Sequence, residues 1–245
     1  MKSMLTLFFS TLLLLALSIN TAWSSVTISV NQQKFQYEQA PRLADVIAPV
    51  AFDAAWYWPA SRLYRLQQPN SELPKQQVLE ILNRLQLNAD LPAKRVFTAL
   101  AVDIQTWQVA ERIGIDIDYD LARANPAFNP RLEKGAYQLN IETRPDYVLV
   151  VGAINTSVRL LHKAASPVQN YFLKSDFSEV ADKQRVNIIQ PNGKVIEVGV
   201  QSWNAGHIEV MPGSIIFVPF AVGLYSSELA ELNKQLLALL VNRMY

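Results

Sequence analysis

A glycine turn, a small residue and a β-strand follow one another twice in this 245-residue chain, and that repetition constrains the fold more than any other feature. The first occurrence is Lys134-Gly135-Ala136-Tyr137-Gln138-Leu139-Asn140-Ile141. The second is Pro212-Gly213-Ser214-Ile215-Ile216-Phe217-Val218-Pro219. Each is preceded at a distance by a strand, a short turn and a second strand, over Val26–Gln36 and Tyr147–Leu160. A pattern repeated in this order predicts two copies of one small β-unit. The second copy is the cleaner, with strands over Tyr147–Ile154, Lys194–Gln201 and Ser214–Pro219. Its turn Gln190-Pro191-Asn192-Gly193 carries Asn-Gly, which favours the positive φ angles of tight hairpins. In the first copy Val26, Ile28 and Val30 share one face and Thr27 and Ser29 the other, as in a half-buried strand. The polar trio Asn31-Gln32-Gln33 then predicts a hairpin, Arg42–Ala48 a short helix after Pro41, and Arg62–Leu66 a strand.

Between the strands of the first copy the period changes. Gln67–Arg112 contains no glycine. Val78, Ile81, Leu82 and Leu85 mark one helical face from near Pro74. Val96, Leu100, Ile104 and Trp107 mark another from near Pro92. With only Asn88-Ala89-Asp90-Leu91 between them, they predict an antiparallel helical hairpin set into a β-rich frame. In the second copy Val168–Lys174 and Glu179–Ala181 are expected to form the shorter helical part. From Ile113 the period returns to two: Ile113, Ile115, Ile117 and Tyr119 alternate with polar residues, which predicts a strand. Ser226–Tyr245 reads as an amphipathic helix, capped by Ser226 or Ser227, with Leu229, Leu232, Leu236, Leu239 and Leu240 on one face.

Composition narrows the setting. Met1–Ser24 has Lys2, the apolar run Leu5–Leu17 and small residues before position 25, the pattern of a cleaved secretory signal peptide. The run is short for a membrane span, which takes about 20 residues, so the chain left after cleavage is not expected to be an integral membrane protein. Without Lys2 the chain carries 21 basic and 21 acidic residues, which offers no electrostatic reason to bind nucleic acid. There is no cysteine, so the fold relies on its cores without disulfides, which suits a periplasm.

Candidate chemistry is sparse. Asp116, Asp118 and Asp120 would line one face of a strand and could serve as a carboxylate cluster, for a cation or for a glycan-modifying enzyme, although their alternation also fits any half-exposed strand. His162 and His207 are the only histidines, and neither has ligand-spaced partners for zinc. Trp56-Tyr57-Trp58 and Trp203-Asn204 are candidate sugar-stacking sites, with core packing as the alternative. Arg112, where the helical insert meets the next strand, could hold an acidic sugar or phosphate in its fork of donors. Equally, it could be an ordinary helix-end arginine.

The residues Asn129-Pro130-Arg131-Leu132-Glu133-Lys134-Gly135-Ala136-Tyr137, Arg144-Pro145-Asp146, Val151-Gly152, Pro191-Asn192-Gly193, Gly199-Val200, Trp203-Asn204 and Met211-Pro212-Gly213, in this order, resemble the GfcC-like capsule and exopolysaccharide biosynthesis family. Its β-grasp domains are related to those of bacterial polysaccharide export proteins. The resemblance implies an α+β fold: a first β-grasp-like domain over 25–145 with a helical insert at about 70–112, a second over 146–225, and a C-terminal amphipathic helix over 226–245. It implies a monomeric periplasmic protein that uses no metal or cofactor and has no catalytic residues. The expected partners are polysaccharide, an outer-membrane polysaccharide exporter, or both. In the export proteins a comparable terminal helix builds an outer-membrane pore; here it is expected to pack on its own domain or to meet a partner. In such proteins a notable arginine lies in the region that Arg112 occupies. Arg112, Trp56, Tyr57, Trp203 and Asn204 are therefore the expected binding residues.

Overall fold

The computed structural model describes residues 25–66, 72–172, 177–223 and 227–245. The expected signal peptide, the start of the insert, part of the 168–174 helix and the Ser226 cap lie outside them. The described residues build two five-stranded mixed sheets accompanied by six α-helices. The first sheet contains β1 (Val26–Val30), β2 (Gln33–Tyr37), β3 (Arg62–Leu66), β4 (Glu111–Ile113) and β5 (Gly135–Asn140) in the order β2-β1-β5-β3-β4. The second contains β6 (Tyr147–Gly152), β7 (Val158–Leu161), β8 (Arg185–Ile189), β9 (Val195–Gly199) and β10 (Ile215–Val218) in the order β7-β6-β10-β8-β9. Strand for strand the two orders are the same. In each, the opening strand pairs parallel with the last strand (β1 with β5, β6 with β10), and every other pairing is antiparallel.

The turns differ in chemistry. Asn31 and Gln32 both have positive φ, 44° and 77°, so the β1–β2 connection is a two-residue turn whose twist matches its strands. Asn31 also exchanges side-chain hydrogen bonds with the backbone of Ile141, which ties the hairpin to the end of β5. The β8–β9 connection has Pro191 and Asn192 at its centre and is closed by the Gly193 N–H donating to Gln190 O. Of Asn192 and Gly193, only the glycine has positive φ, 89°. Pro191 holds the first turn position at its fixed φ, so the left-handed step falls one residue later than a two-residue hairpin would place it.

The helices correct the expected correspondence between the halves. The insert forms as α2 (Leu73–Asn88) and α3 (Leu91–Thr106), with α1 (Leu43–Ile47) before β3. Pro74 and Pro92 lie in their first turns, and Asp90 caps α3 by accepting the Ala93 N–H at 3.0 Å. They lie between β3 and β4, where the second half has only the Pro191–Lys194 turn. The segment after β7 carries the four-residue α5 (Gln169–Phe172) and is the counterpart of the α1 region, not of the insert. Glu179–Ala181 is not helical, because Ala181 bridges Phe220 beside the sheet. The predicted strand from Ile113 to Tyr119 ends at Ile113. Beyond it Asp118 accepts the Leu121 N–H at 2.8 Å and starts α4 (Tyr119–Ala124), while Ile117 turns into the core.

Two apolar clusters form. One lies on the first sheet with α1 and includes Ile28, Leu43, Ile47, Leu63, Tyr137 and Leu139. The other joins the second sheet to α2, α3 and the last helix, α6 (Ser227–Val241), through residues such as Leu82, Phe97, Ile104, Phe217, Phe220 and Leu236. The helices inserted in the first half thus bury their apolar faces in the second cluster, where Phe97 and Phe220 meet at 5.2 Å. The leucine stripe of α6 is buried at 232, 236, 239 and 240. Asn233, polar beside this stripe, docks the helix: its Oδ1 accepts the Phe220 N–H and its Nδ2 donates to Phe220 O, both at 2.8 Å. Asn233→Ala leaves two backbone groups without partners and should lower stability by about 2 kcal/mol in urea unfolding. A change below about 0.5 kcal/mol would show that the leucines alone hold α6. No helix among the described residues is long and apolar enough to cross a membrane.

Candidate functional site

Beyond α6 the chain crosses back to the first sheet. Ala110 N–H donates to Asn242 O, Met244 N–H to Gln108 O, and Val109 bridges Arg243. From the first sheet, Tyr64 O–H donates to Arg243 O at 2.8 Å and Asn140 Nδ2 to Tyr245 O at 2.9 Å. Arg112 is in the middle of this junction. It is the central residue of β4, paired with Tyr64 of β3, and its N–H donates to Asn242 Oδ1 at 2.9 Å. Its guanidinium reaches across to the second half, where Nη2 donates to Pro191 O. A Cβ on Gly193 would stand only 3.0 Å from Arg112 Nε, so the bare glycine backbone is what lets the guanidinium pass.

Two further arginines flank it. Arg62 is 3% exposed and pairs with Glu142 at 2.8 Å. Its Cζ stands 5.0 Å from the Tyr245 ring centre, and Arg243 Cζ stands 4.8 Å from the same ring and 4.3 Å from that of Trp107. Burial and, to a lesser degree, the neighbouring positive charge of Arg62 push the Arg112 guanidinium down to about 10, against a nearby Tyr64 that favours its charge. At neutral pH it remains a cation. Among the described residues it has no carboxylate in ion-pair range. Burial raises the Tyr64 phenol and pushes that of Tyr245 up to about 12, outweighing the arginines beside them.

Tyr245 is 36% exposed as a residue, with its ring beside Arg62 and Arg243, and the direction of its shift sets the sign of the linkage. Its folded pKa lies above the ordinary phenol value, so between about pH 10 and 12 the unfolded chain releases a proton that the folded chain keeps. Stability should therefore fall as pH rises through this window. Tyr245→Phe should flatten the fall in a pH series of urea midpoints; an unchanged alkaline slope would place the titration elsewhere.

Beside Arg112 the surface is concave. A cavity of about 320 Å³ is lined by Arg112, Asp116, Asn192, Gly193 and Lys194 among others. A second, of about 240 Å³, is lined by Trp58, Ser61, Asp116, Asp118 and Asn192 among others. Ile115, Asp116 and Asn192 line both, so the two are neighbouring compartments of one groove with walls from both halves of the chain.

The remaining sequence candidates separate. Trp56 packs against the first core and donates its Nε1–H to Val50 O at 2.7 Å, a structural role. Tyr57 lies under Arg144, whose Cζ is 5.4 Å from the ring centre. Trp58 is the member of the aromatic trio that lines the groove. Trp203 is 74% exposed, and Asn204 fixes its loop by accepting the Gln201 N–H and donating to Gln184 O. Both lie beyond the far end of β9 from the Pro191–Lys194 turn, a strand length of about 16 Å, so they are not gathered with Arg112. The single-faced carboxylate row does not form. Asp116 is in extended coil, Asp118 caps α4, and Asp120 is in that helix's first turn. His162 Nε2 bonds to Val210 O and His207 is exposed.

Residues 21–144 match the family described as capsule biosynthesis GfcC, N-terminal, and residues 156–245 match capsule biosynthesis GfcC C-terminal. The chain is also 28% identical over 238 residues to the uncharacterized protein YjbG of Escherichia coli (strain K12), across 94% of this chain and 96% of that protein.

Proposed function

The chain belongs to the GfcC capsule biosynthesis family, and from this membership we propose that it is a periplasmic accessory protein of capsule or exopolysaccharide biogenesis, binding the polymer or a component of its exporter without catalysis. The observation that carries the reading is the groove around Arg112. A half-buried guanidinium without a carboxylate partner is a standing donor site for an incoming acceptor. Trp58 supplies an apolar surface in the same groove, and Asp116, Asn192 and Ser61 supply polar groups suited to hydroxyls. The apolar run Leu5–Leu17, which has the pattern of a signal peptide, supports the periplasmic setting. The shared strand order of the two sheets supports a pair of β-grasp units of the kind found in export proteins.

The absence of catalysis is supported by Asp118, whose carboxylate is engaged as a helix cap and so is poorly placed as half of an acid–base pair. Asn also caps helices, so the Asp116→Asn, Asp118→Asn double variant should fold. Because an asparagine amide still bonds hydroxyls, it should restore most of the surface polysaccharide in a strain lacking the gene; complete loss of complementation with the fold intact would favour a glycan-modifying enzyme. The gene-loss strain itself should make less surface polysaccharide. Arg112→Met should fail to restore it while keeping the native circular dichroism. Unchanged surface polysaccharide in the gene-loss strain would sink the proposal.

A further inference from the structure

The two compartments of the groove carry opposite charge, and this restricts the polymer that fits. The compartment at the β8–β9 turn has Arg112 and Lys194 in its wall. The compartment at Trp58 has Asp118 and no cation in its wall, and Asp116 stands on the wall common to both. Ser61 adds an independent observation. The residue lines the second compartment, and its Oγ is buried with no hydrogen-bond partner among the described residues, a condition that buried hydroxyls rarely tolerate unless a ligand or water completes it.

We propose that the groove selects a polysaccharide in which acidic and neutral sugars alternate, with a uronic-acid carboxylate at Arg112 and Lys194 and the adjoining neutral sugar against Trp58, its hydroxyls bonding Ser61, Asp116 and Asp118. The inference rests on the polysaccharide reading above and sharpens it. A neutral polymer leaves the cationic compartment without a counter-charge. A polymer acidic at every unit sets a second carboxylate against Asp116 and Asp118, and like charges at that range repel. Each compartment is near or below the lower end of the about 300–1,000 Å³ typical of ligand pockets, which suits one sugar ring apiece.

The test is titration of the full-length mature chain, followed by ¹⁵N–¹H chemical shifts, with three tetrasaccharides: hyaluronan (alternating), galacturonan (acidic throughout) and maltotetraose (neutral). Hyaluronan should bind tightest. Lys194 is exposed, so Lys194→Ala should fold normally; it should weaken hyaluronan about tenfold, the value of one charge-assisted contact, and leave maltotetraose unchanged. Trp58→Ala should weaken hyaluronan and maltotetraose alike, and Asp116→Asn should selectively improve galacturonan. Equal affinity for hyaluronan and maltotetraose, or no effect of Lys194→Ala, would overturn the charge assignment and leave polysaccharide binding standing. Tightest binding of galacturonan would overturn the alternation. Failure of all three to bind at millimolar concentration overturns this inference, while the broader reading falls only with an unchanged gene-loss phenotype.

Discussion

Gly152→Ala should leave little folded protein, with a loss of at least about 4 kcal/mol, at the diagnostic end of single-substitution effects. Gly152 ends β6 opposite Val218 of the parallel strand β10, with φ at +112°. A Cβ there would stand 2.2 Å from Val218 O and 2.8 Å from the Phe217 ring. The first contact is with backbone, which cannot swing aside. Moreover, the Val218 carbonyl already accepts the Ala153 N–H at 2.8 Å. Relief would require β6 and β10 to part at the centre of the second core, where Phe217, Val218 and Phe220 are all buried. Gly114→Ala is the matched control: a Cβ there meets nothing within 4 Å and φ is unstrained, so the change should stay within about 0.5 kcal/mol. Urea unfolding of both variants checks the pair. A Gly152→Ala protein that unfolds within about 1 kcal/mol of the natural chain would mean that the strand ends shift more freely than their pairing implies.

The repeat of strand, turn and glycine-led strand was legible because each element is local, with alternation on one face and turn residues at fixed offsets. The same local reading located α2 and α3 through their apolar spacing and the prolines at their starts, and α6 through its leucine stripe. It failed where two local signals competed. Ile113 to Tyr119 alternates as a strand does, yet Asp118 is also a good helix cap. The cap prevails because β4 has only β3 to pair with, and the chain leaves that sheet edge at Gly114. The equivalence of the helical insert with the 168–181 segment failed for a different reason. Sequence order shows what precedes what, whereas the counterpart of each loop is fixed by which strands it joins.

Of the groove, Arg112, Trp58, Asp116 and Asp118 were legible as candidates, and the rest was hidden. Arg112 was singled out by its place between the insert and the next strand, and by resemblance. The groups that shape its surroundings arrive from elsewhere: Arg62 and Tyr64 from β3, Asn192 to Lys194 from the second sheet, Arg243 and Tyr245 from beyond α6. No spacing rule connects residues so far apart. One hint was available: Arg62 and Tyr64 are two apart and so share a face, and an arginine at the start of a mostly apolar strand needs a partner when buried. The partner, Glu142, lies 80 residues away.

That partner carries the second large expected effect. Glu142→Ala should cost about 3 kcal/mol, the lower end for a buried pair, because Glu142 is 29% exposed while the arginine it leaves uncompensated is buried. Arg62 is 3% exposed and Glu142 is its only ion-pair partner among the described residues, at 2.8 Å. The surrounding field makes the loss worse: Arg62 already disfavours the charge on Arg112, and Arg62, Arg112 and Arg243 all act on Tyr64. The Tyr245 ring next to Arg62 offers a cation–π contact, which is too weak to replace a carboxylate. Glu142→Gln should fall between the natural chain and the alanine variant, since it keeps an acceptor without the charge. Adding Arg62→Met to Glu142→Ala should recover more than half of the lost stability, because the double variant buries no unpaired ion. Chemical unfolding of all four proteins gives the cycle directly. If the double variant is no more stable than Glu142→Ala alone, the penalty comes from lost packing around Glu142, and the arginine cluster is held by its aromatic neighbours and not by charge.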